Sequence, residues 1–289
     1  INRVSDNDYW KDFSLANNSG VQRLLSNDIT LNWSNGSLST SLRTQMWQTL
    51  QDNANPSNRI TPPFDRVPQF TAKLQSANLS GFDVNLEGDL TRFESARNYE
   101  CAQTGSFNCA PNATRAVSSA QMSRPFLNSA GYITPKVQVH GRSYQFDGGL
   151  PSHSFYGARQ GQTSASLVVP TFSLDSGTHF ERSNRLFSRS WMQTLEPRAF
   201  FVYTPYRDQS FLPNYDSGSN AYNFASVFTE NTFVGNDRIA NNKLLTLGAT
   251  SRLLDPDTGA EGARFGLAQR LRMQEIGRAS CRERVSSPV

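Results

Sequence analysis

Three carboxylates, Asp83, Glu87 and Asp89, fall at alternate positions of one short stretch. Residues an even number apart in a strand share a face, so the three would line one surface, the placement that general acid–base catalysis uses. Such chemistry also needs a histidine, nucleophile or metal ligand close by. His140, His153 and His179 are isolated, and no His-x-x-x-His pair occurs. A phosphate-binding Gly-rich loop, a nucleophile elbow and a dinucleotide fingerprint are all missing from the sequence. The carboxylates therefore read as a solvated polar wall, with His140 on the same side and His153 in a loop. No catalytic residue, metal site or cofactor is expected, and no enzymatic activity.

Cys101 and Cys109 stand in a C-x7-C spacing within a Ser/Asn/Gly-rich segment. A local disulfide is expected in an oxidising compartment; two free thiols are the alternative. Lysines and arginines exceed acidic residues only 28 to 24, a net charge of +4. No basic stripe interleaved with aromatics occurs, so nucleic acid is not an expected partner.

The elements that would carry these side chains are strands. Hydrophobic residues make up 37% and mean hydropathy is −0.54, and no apolar run reaches the length of a membrane-spanning helix. Yet aromatics reach 11% against only 18% charged residues. A wall with lipid on one side and water on the other needs this mixture, because apolar and polar residues must alternate. From Phe82 the alternation is unbroken: Phe82, Val84, Leu86, Gly88 and Leu90 point one way, and Asp83, Asn85, Glu87, Asp89 and Thr91 the other. Ten such strands are expected, at 21–34, 37–50, 66–77, 82–94, 114–126, 132–146, 164–182, 191–204, 243–254 and 261–273. Almost all reach the roughly 9–11 residues that cross a bilayer, where soluble strands are commonest at about 5–6. Asp175-Ser176-Gly177 would leave too short a strand behind it if it were a turn, so a bulge within one long strand is expected there.

The connections alternate in length. Short ones fall at Asn35-Gly36 and at 78–81, 127–131, 183–190 and 255–259; long ones span 51–65, 95–113, 147–163 and 205–242. Outer-membrane barrels have this rhythm of short periplasmic turns and long external loops. Trp47, Phe93, Tyr144, Trp191, Tyr203 and Tyr206 lie near strand ends, where interfacial girdles sit. Arg43, Lys73, Lys136, Arg198, Arg252, Arg264, Arg270 and Arg272 fall with Asp83, Glu87 and Asp89 on the expected lumen-facing side. A cationic wall would attract phosphorylated glycolipid, and equally suits a porin.

The chain opens at Ile1 without a basic or apolar leader, so an exported protein would need sequence upstream. From Glu275 the alternation stops, and residues 275–289, with Cys281, resemble translated adapter or vector sequence. The expected organisation is a barrel segment over 1–274 and a non-native tail over 275–289.

Several ordered stretches resemble the LPS-assembly protein LptD family, formerly the organic solvent tolerance proteins. They are Arg3-Val4-Ser5-Asp6 with Tyr9-Trp10-Lys11-Asp12-Phe13; Gln193 to Ala199, which contains Leu195, Glu196, Pro197 and Arg198; Tyr203 and Pro205-Tyr206-Arg207-Asp208-Gln209-Ser210; Asn214-Tyr215-Asp216; and Asp237-Arg238-Ile239-Ala240 followed by Thr246, Gly248 and Thr250-Ser251-Arg252. The resemblance covers Ile1 to Met273 and implies an all-β fold: about ten strands from the middle of a larger antiparallel transmembrane outer-membrane β-barrel. It further implies a component of lipopolysaccharide (LPS) transport that assembles LPS into the outer leaflet of the outer membrane, with an LptE-like lipoprotein plugging the lumen. An LptA-like periplasmic bridge would deliver LPS through a jellyroll domain that this sequence does not contain. The family's lateral gate and long-range disulfide cysteines also fall outside it, so Cys101 and Cys109 are not equated with them. A general porin or TonB-type receptor is the alternative. Within the matching block, Pro197 forfeits a ladder hydrogen bond, so a local distortion is expected, and the 205–242 connection is long enough to fold on itself or into the lumen.

Overall fold

A computed structural model describes residues 2–12, 23–52, 54–55, 60, 62–95, 110–151, 154–186 and 189–273. Cys101, Cys109, His153 and the 275–289 tail lie outside the described residues.

One antiparallel sheet dominates. Its strands are β1 (Leu24–Asn35), β2 (Leu38–Thr49), β3 (Asp65–Leu79), β4 (Phe82–Glu94), β5 (Ala113–Ser123), β6 (Phe126–Asn128), β7 (Gly131–Phe146), β8 (Ser164–Thr178), β9 (Phe180–Leu186), β10 (Arg189–Thr204), β13 (Asn242–Leu254) and β14 (Glu261–Arg272). Two tiny strands, β11 (Gly218–Ser219) and β12 (Phe233–Val234), pair with each other inside the long 205–241 loop. Each main strand pairs with its sequence neighbour in the order β1-β2-β3-β4-β5-β7-β8-β10-β13-β14, while β6 extends β5 along β7 and β9 extends β8 along β10. This is an up-and-down meander of ten spans, and it is open: β1 and β14 are its edges among the described residues.

The turns show why neighbours pair. Ser80 and Gly81, both at positive φ (53° and 86°), join β3 to β4, the backbone that a two-residue hairpin needs to match strand twist. The β1–β2 turn is Gly36-Ser37, one residue later than the expected Asn35-Gly36, because Asn35 still pairs with Leu38. The β9–β10 hairpin also runs further than expected: residues 183–190 are mostly strand, with Arg189 paired to Leu186.

The expected bulge at Asp175–Gly177 is absent. Arg198 pairs with Gly177 and Leu195 with Phe180, so the register is the same on both sides and no residue is inserted. The break falls instead at His179, between β8 and β9, opposite Glu196-Pro197. Pro197 has no N–H to give the ladder, and β8 and β9 are one span interrupted there. Arg124-Pro125 breaks β5 from β6 in the same way: Ser123 pairs with Lys136 and Phe126 with Ile133, again without a slip.

Alternation divides the sheet into two faces. One carries Leu31, Leu42, Phe70, Leu86, Leu90, Val137, Phe172, Leu195, Leu247 and Leu267, every one of them exposed. Soluble monomers rarely leave so large an apolar surface bare; lipid is the solvent that accepts it. The other face is polar and is partly covered by the 205–241 loop. Leu86→Arg, in the middle of the bare face, is expected to destabilise the full-length protein by roughly 2–4 kcal/mol. Asn85→Lys, one residue away on the polar face, should cost far less; urea unfolding in lipid vesicles followed by Trp fluorescence reads both, and equal costs would refute this assignment of faces.

Candidate functional site

The functional surface is the polar face and the loop folded against it. The loop leaves β10 at Pro205 and returns at Asn241. Its backbone is organised by side chains: the Asp208 carboxylate accepts from Ser210 N and Oγ at 3.0 and 2.6 Å, and these bonds hold its pKa below the usual carboxylate range. Arg238 donates to the carbonyls of Leu212 and Pro213 at 2.6 and 3.3 Å. Asn231 accepts from Ala240 N at 3.0 Å.

Arg115 is the anchor. It points from β5 into the covered face and is fully buried. Its Nη1 donates to Asp216 Oδ1 and Asp237 Oδ1, both at 2.8 Å, and its Nη2 donates to Asp216 Oδ2 at 2.7 Å and more weakly to Asp89 Oδ1 at 3.4 Å. The guanidinium also lies 4.8 Å from the centre of the Phe93 ring. Asp237 is saturated with donors: Tyr144 Oη at 2.8 Å and the amides of Tyr215 and Asp216 at 2.7 and 2.8 Å join Arg115. Arg142 donates to the Asp237 carbonyl and, at 3.1 Å, to Gln209 Oε1. Arg66 stands 3.8 Å from Asp216. Three guanidiniums thus surround three buried carboxylates, which is how charge is tolerated away from water.

The two loop carboxylates differ. Burial alone would raise Asp216, but its bonds and charge contact with Arg115 outweigh that and hold it at about 2. Asp237, more deeply buried, is pushed up by desolvation against the pull of Arg115. Burial likewise raises the Tyr215 phenol.

Aromatic packing completes the seat. The Tyr215 ring stacks on Phe93 at 4.5 Å between centres and meets Phe64 edge-on at 4.9 Å. Leu212 and Phe211 from the loop join Ala113, Tyr144 and Phe146 of the strands and Leu150 and Tyr156 of the 147–163 connection in one buried cluster. Further along the loop Phe228 packs on Phe200, and Glu230 accepts from Lys136 Nζ at 2.5 Å and Ser173 Oγ at 3.2 Å. Arg270 of β14 donates to the Val227 carbonyl. The loop therefore touches strands from β3 to β14.

The residues named from the sequence fall as follows. Arg43, Lys73, Asp83, Glu87, Asp89, Lys136, Arg198 and Arg252 all lie on the loop-bearing face, mostly in ion pairs: Lys73–Glu87 at 2.9 Å, Arg198–Asp175 at 2.6 Å, Arg252–Glu196 at 2.9 Å and a loose Arg43–Asp28 at 3.7 Å. His140 shares that face. Asp89 is not a solvated wall residue; it is buried and accepts from Gln69 Nε2 at 2.6 Å and Thr91 Oγ1 at 2.7 Å. Phe93 and Tyr144 are not girdle residues, because the loop covers them completely. Tyr203 and Tyr206 are exposed, and Leu195 faces outward. Arg115, the centre of the cluster, was not singled out from the sequence. Its one signal is a lone cation among the otherwise uncharged inward positions of β5.

A bare apolar face, a polar face, spans of up to 16 residues and alternating short and long connections define a section of an outer-membrane β-barrel wall. The family model described as "LptD: LPS transport system D" matches residues 1–288, and the chain belongs to that family. It is 56% identical over 281 residues to the LPS-assembly protein LptD of a Polaromonas species, covering 95% of this chain and 32% of that protein. The LptD proteins of Albidiferax ferrireducens and Paracidovorax citrulli are 51% and 52% identical, over 95% and 98% of the chain. The chain spans about a third of the length of these relatives.

Replacing Arg115 with Met leaves buried carboxylates without their counter-charge, a loss on the order of 3–5 kcal/mol. Limited proteolysis of the folded full-length protein is expected to cut within 205–241 much faster in that variant; unchanged protection would show that Arg115 does not hold the loop. The pH dependence has a definite sign. Asp216 is depressed from 3.8 to about 2, so its contribution is complete above 3.8 and lost as pH falls through 2. Pepsin should cut the loop readily at pH 2 and little at pH 4; equal cutting at both would contradict the ion pair.

Proposed function

We propose that this chain supplies barrel wall, lumen surface and an inward-folded external loop to a machine that assembles LPS into the outer leaflet of the Gram-negative outer membrane. The observation that carries the reading is the pairing of a bare apolar sheet face with an opposite polar face into which a long loop is locked by buried charge. The relatives' name, LPS-assembly protein, and the family description, LPS transport system D, support LPS as the transported ligand. The role is transport and assembly, with no catalytic step.

The long connections lie on the outer side and the short turns on the periplasmic side. Edges β1 and β14 are paired by further strands, since hydrocarbon does not tolerate unpaired backbone. Below the loop the polar face keeps an open cavity of about 400 Å³ lined by Asp83, Asn85, Lys136, Asp175, Arg198 and Glu230, among others. With its mixed charges it suits a polar protein plug, and an LptE-like lipoprotein is the occupant proposed. An LptA-like bridge is the partner proposed to deliver LPS, through a jellyroll domain. A general porin or TonB-type receptor is the weaker reading, because the family match and the locked loop both favour assembly over diffusion.

Depleting the full-length protein in its host is expected to reduce LPS surface labelling and to raise detergent sensitivity. Unchanged surface labelling would rule the proposal out.

A further inference from the structure

The bare face is not uniformly smooth. Near the short-turn end an apolar furrow of about 610 Å³ runs across it, with Phe126, Leu127 and Ile133 on one flank, Leu247 on the other, and Pro197 and Ala199 in its floor. That volume lies within the roughly 300–1,000 Å³ typical of small-molecule sites. The furrow exists because the strand break at Pro197 coincides with short side chains, while its flanks are large and exposed.

Beside it stands an unusual cation. Arg124 follows β5 and lies near the Ser80-Gly81 turn, its Nε 4.0 Å from where a Gly81 side chain would begin. Its guanidinium carbon is 5.1 Å from the centre of the Phe82 ring and 5.1 Å from that of Phe126, the same Phe126 that flanks the furrow. No carboxylate oxygen lies within 4.0 Å of it among the described residues. Most cations of the opposite face are ion-paired; this one is held between two aromatic rings on the apolar side, at the level of the turns. A guanidinium in that position offers paired donors that match a phosphate, and the charge it would neutralise must come from the membrane.

We propose that Arg124 and the furrow together form a binding site for a glycerophospholipid of the periplasmic leaflet, with the phosphate on Arg124 and one acyl chain in the furrow. The leaflet follows from the membrane orientation given above, on which the proposal rests. The occupant is a lipid because the furrow opens to hydrocarbon, and a phospholipid because Arg124, which shares Phe126 with the furrow, is a cation with no carboxylate oxygen within 4.0 Å among the described residues.

The test uses the full-length protein in detergent, stripped of lipid and incubated with phosphatidylglycerol or with diacylglycerol of the same chain length, with retained lipid counted by native mass spectrometry. The wild type is expected to retain phosphatidylglycerol in preference to diacylglycerol. Arg124→Gln should weaken that retention about fivefold, the usual worth of one interfacial cation, Arg124→Lys should largely restore it, and Ala199→Trp, which fills the furrow, should reduce retention of both lipids. Equal retention by wild type and Arg124→Gln overturns the headgroup contact, equal retention by Ala199→Trp overturns the furrow, and displacement of phosphatidylglycerol by sub-stoichiometric LPS overturns the assignment to a phospholipid. Heat-modifiable mobility on gels is read in parallel: a wild type without it refutes the barrel itself, whereas a heat-modifiable protein without lipid preference refutes this site alone.

Discussion

Backbone polar groups cannot be left unpaired in hydrocarbon, and most of the structure depends on that. A strand that crosses lipid must hydrogen-bond to a neighbour on each side, which commits ten successive spans to one continuous antiparallel sheet. Once they are paired, every side chain is assigned to one of two faces with a period of two. The solvent on each face then decides what the face can hold. Leucines and phenylalanines remain exposed on one side, and the charges are gathered on the other.

The second constraint concerns those gathered charges. Ions covered by a loop cannot be left half-solvated, and on this polar face most of them are answered by ions of opposite sign. Short cross-strand pairs such as Lys73–Glu87 do this locally. Arg115 does it over a long distance in sequence, joining Asp89 of the adjacent strand to Asp216 and Asp237 of a loop that follows three main spans later. Because all four groups are buried, none can be lost without stranding the others. The contact therefore fixes the loop's position more firmly than its apolar packing alone would, although Leu212 and Val227 are also fully covered.

The irregularities follow from the same rule. Pro197 and Pro125 interrupt the ladder, yet the register continues unchanged across both breaks. A slip of one residue would send every following side chain to the wrong solvent, and at these two breaks the ladder loses a hydrogen bond without gaining a residue; one-residue register shifts occur elsewhere in the sheet, in β3 around Val67-Pro68 and at the Leu253–Leu254 end of β13. The furrow on the lipid side is a by-product of one of these breaks.

The amino-acid sequence by itself determined the spans, their number, the two faces and the family. Those depend on local alternation, on turn chemistry such as Ser80-Gly81, and on ordered blocks such as Leu195 to Asp208, all of which are written along the chain. It also placed Asp83, Glu87, Lys136, Arg198 and Arg252 on one face, because parity alone does that. Only the tertiary structure decided that Asp89 is buried, that Phe93 and Tyr144 lie under a loop and not at an interface, and that Arg115 is the residue on which the loop is held. Each of these depends on where residues 205–241 come to rest, and that position is set by contacts between residues up to 122 apart in sequence. No local period encodes such a contact, since a buried cation and a solvated one look alike until the loop closes over them.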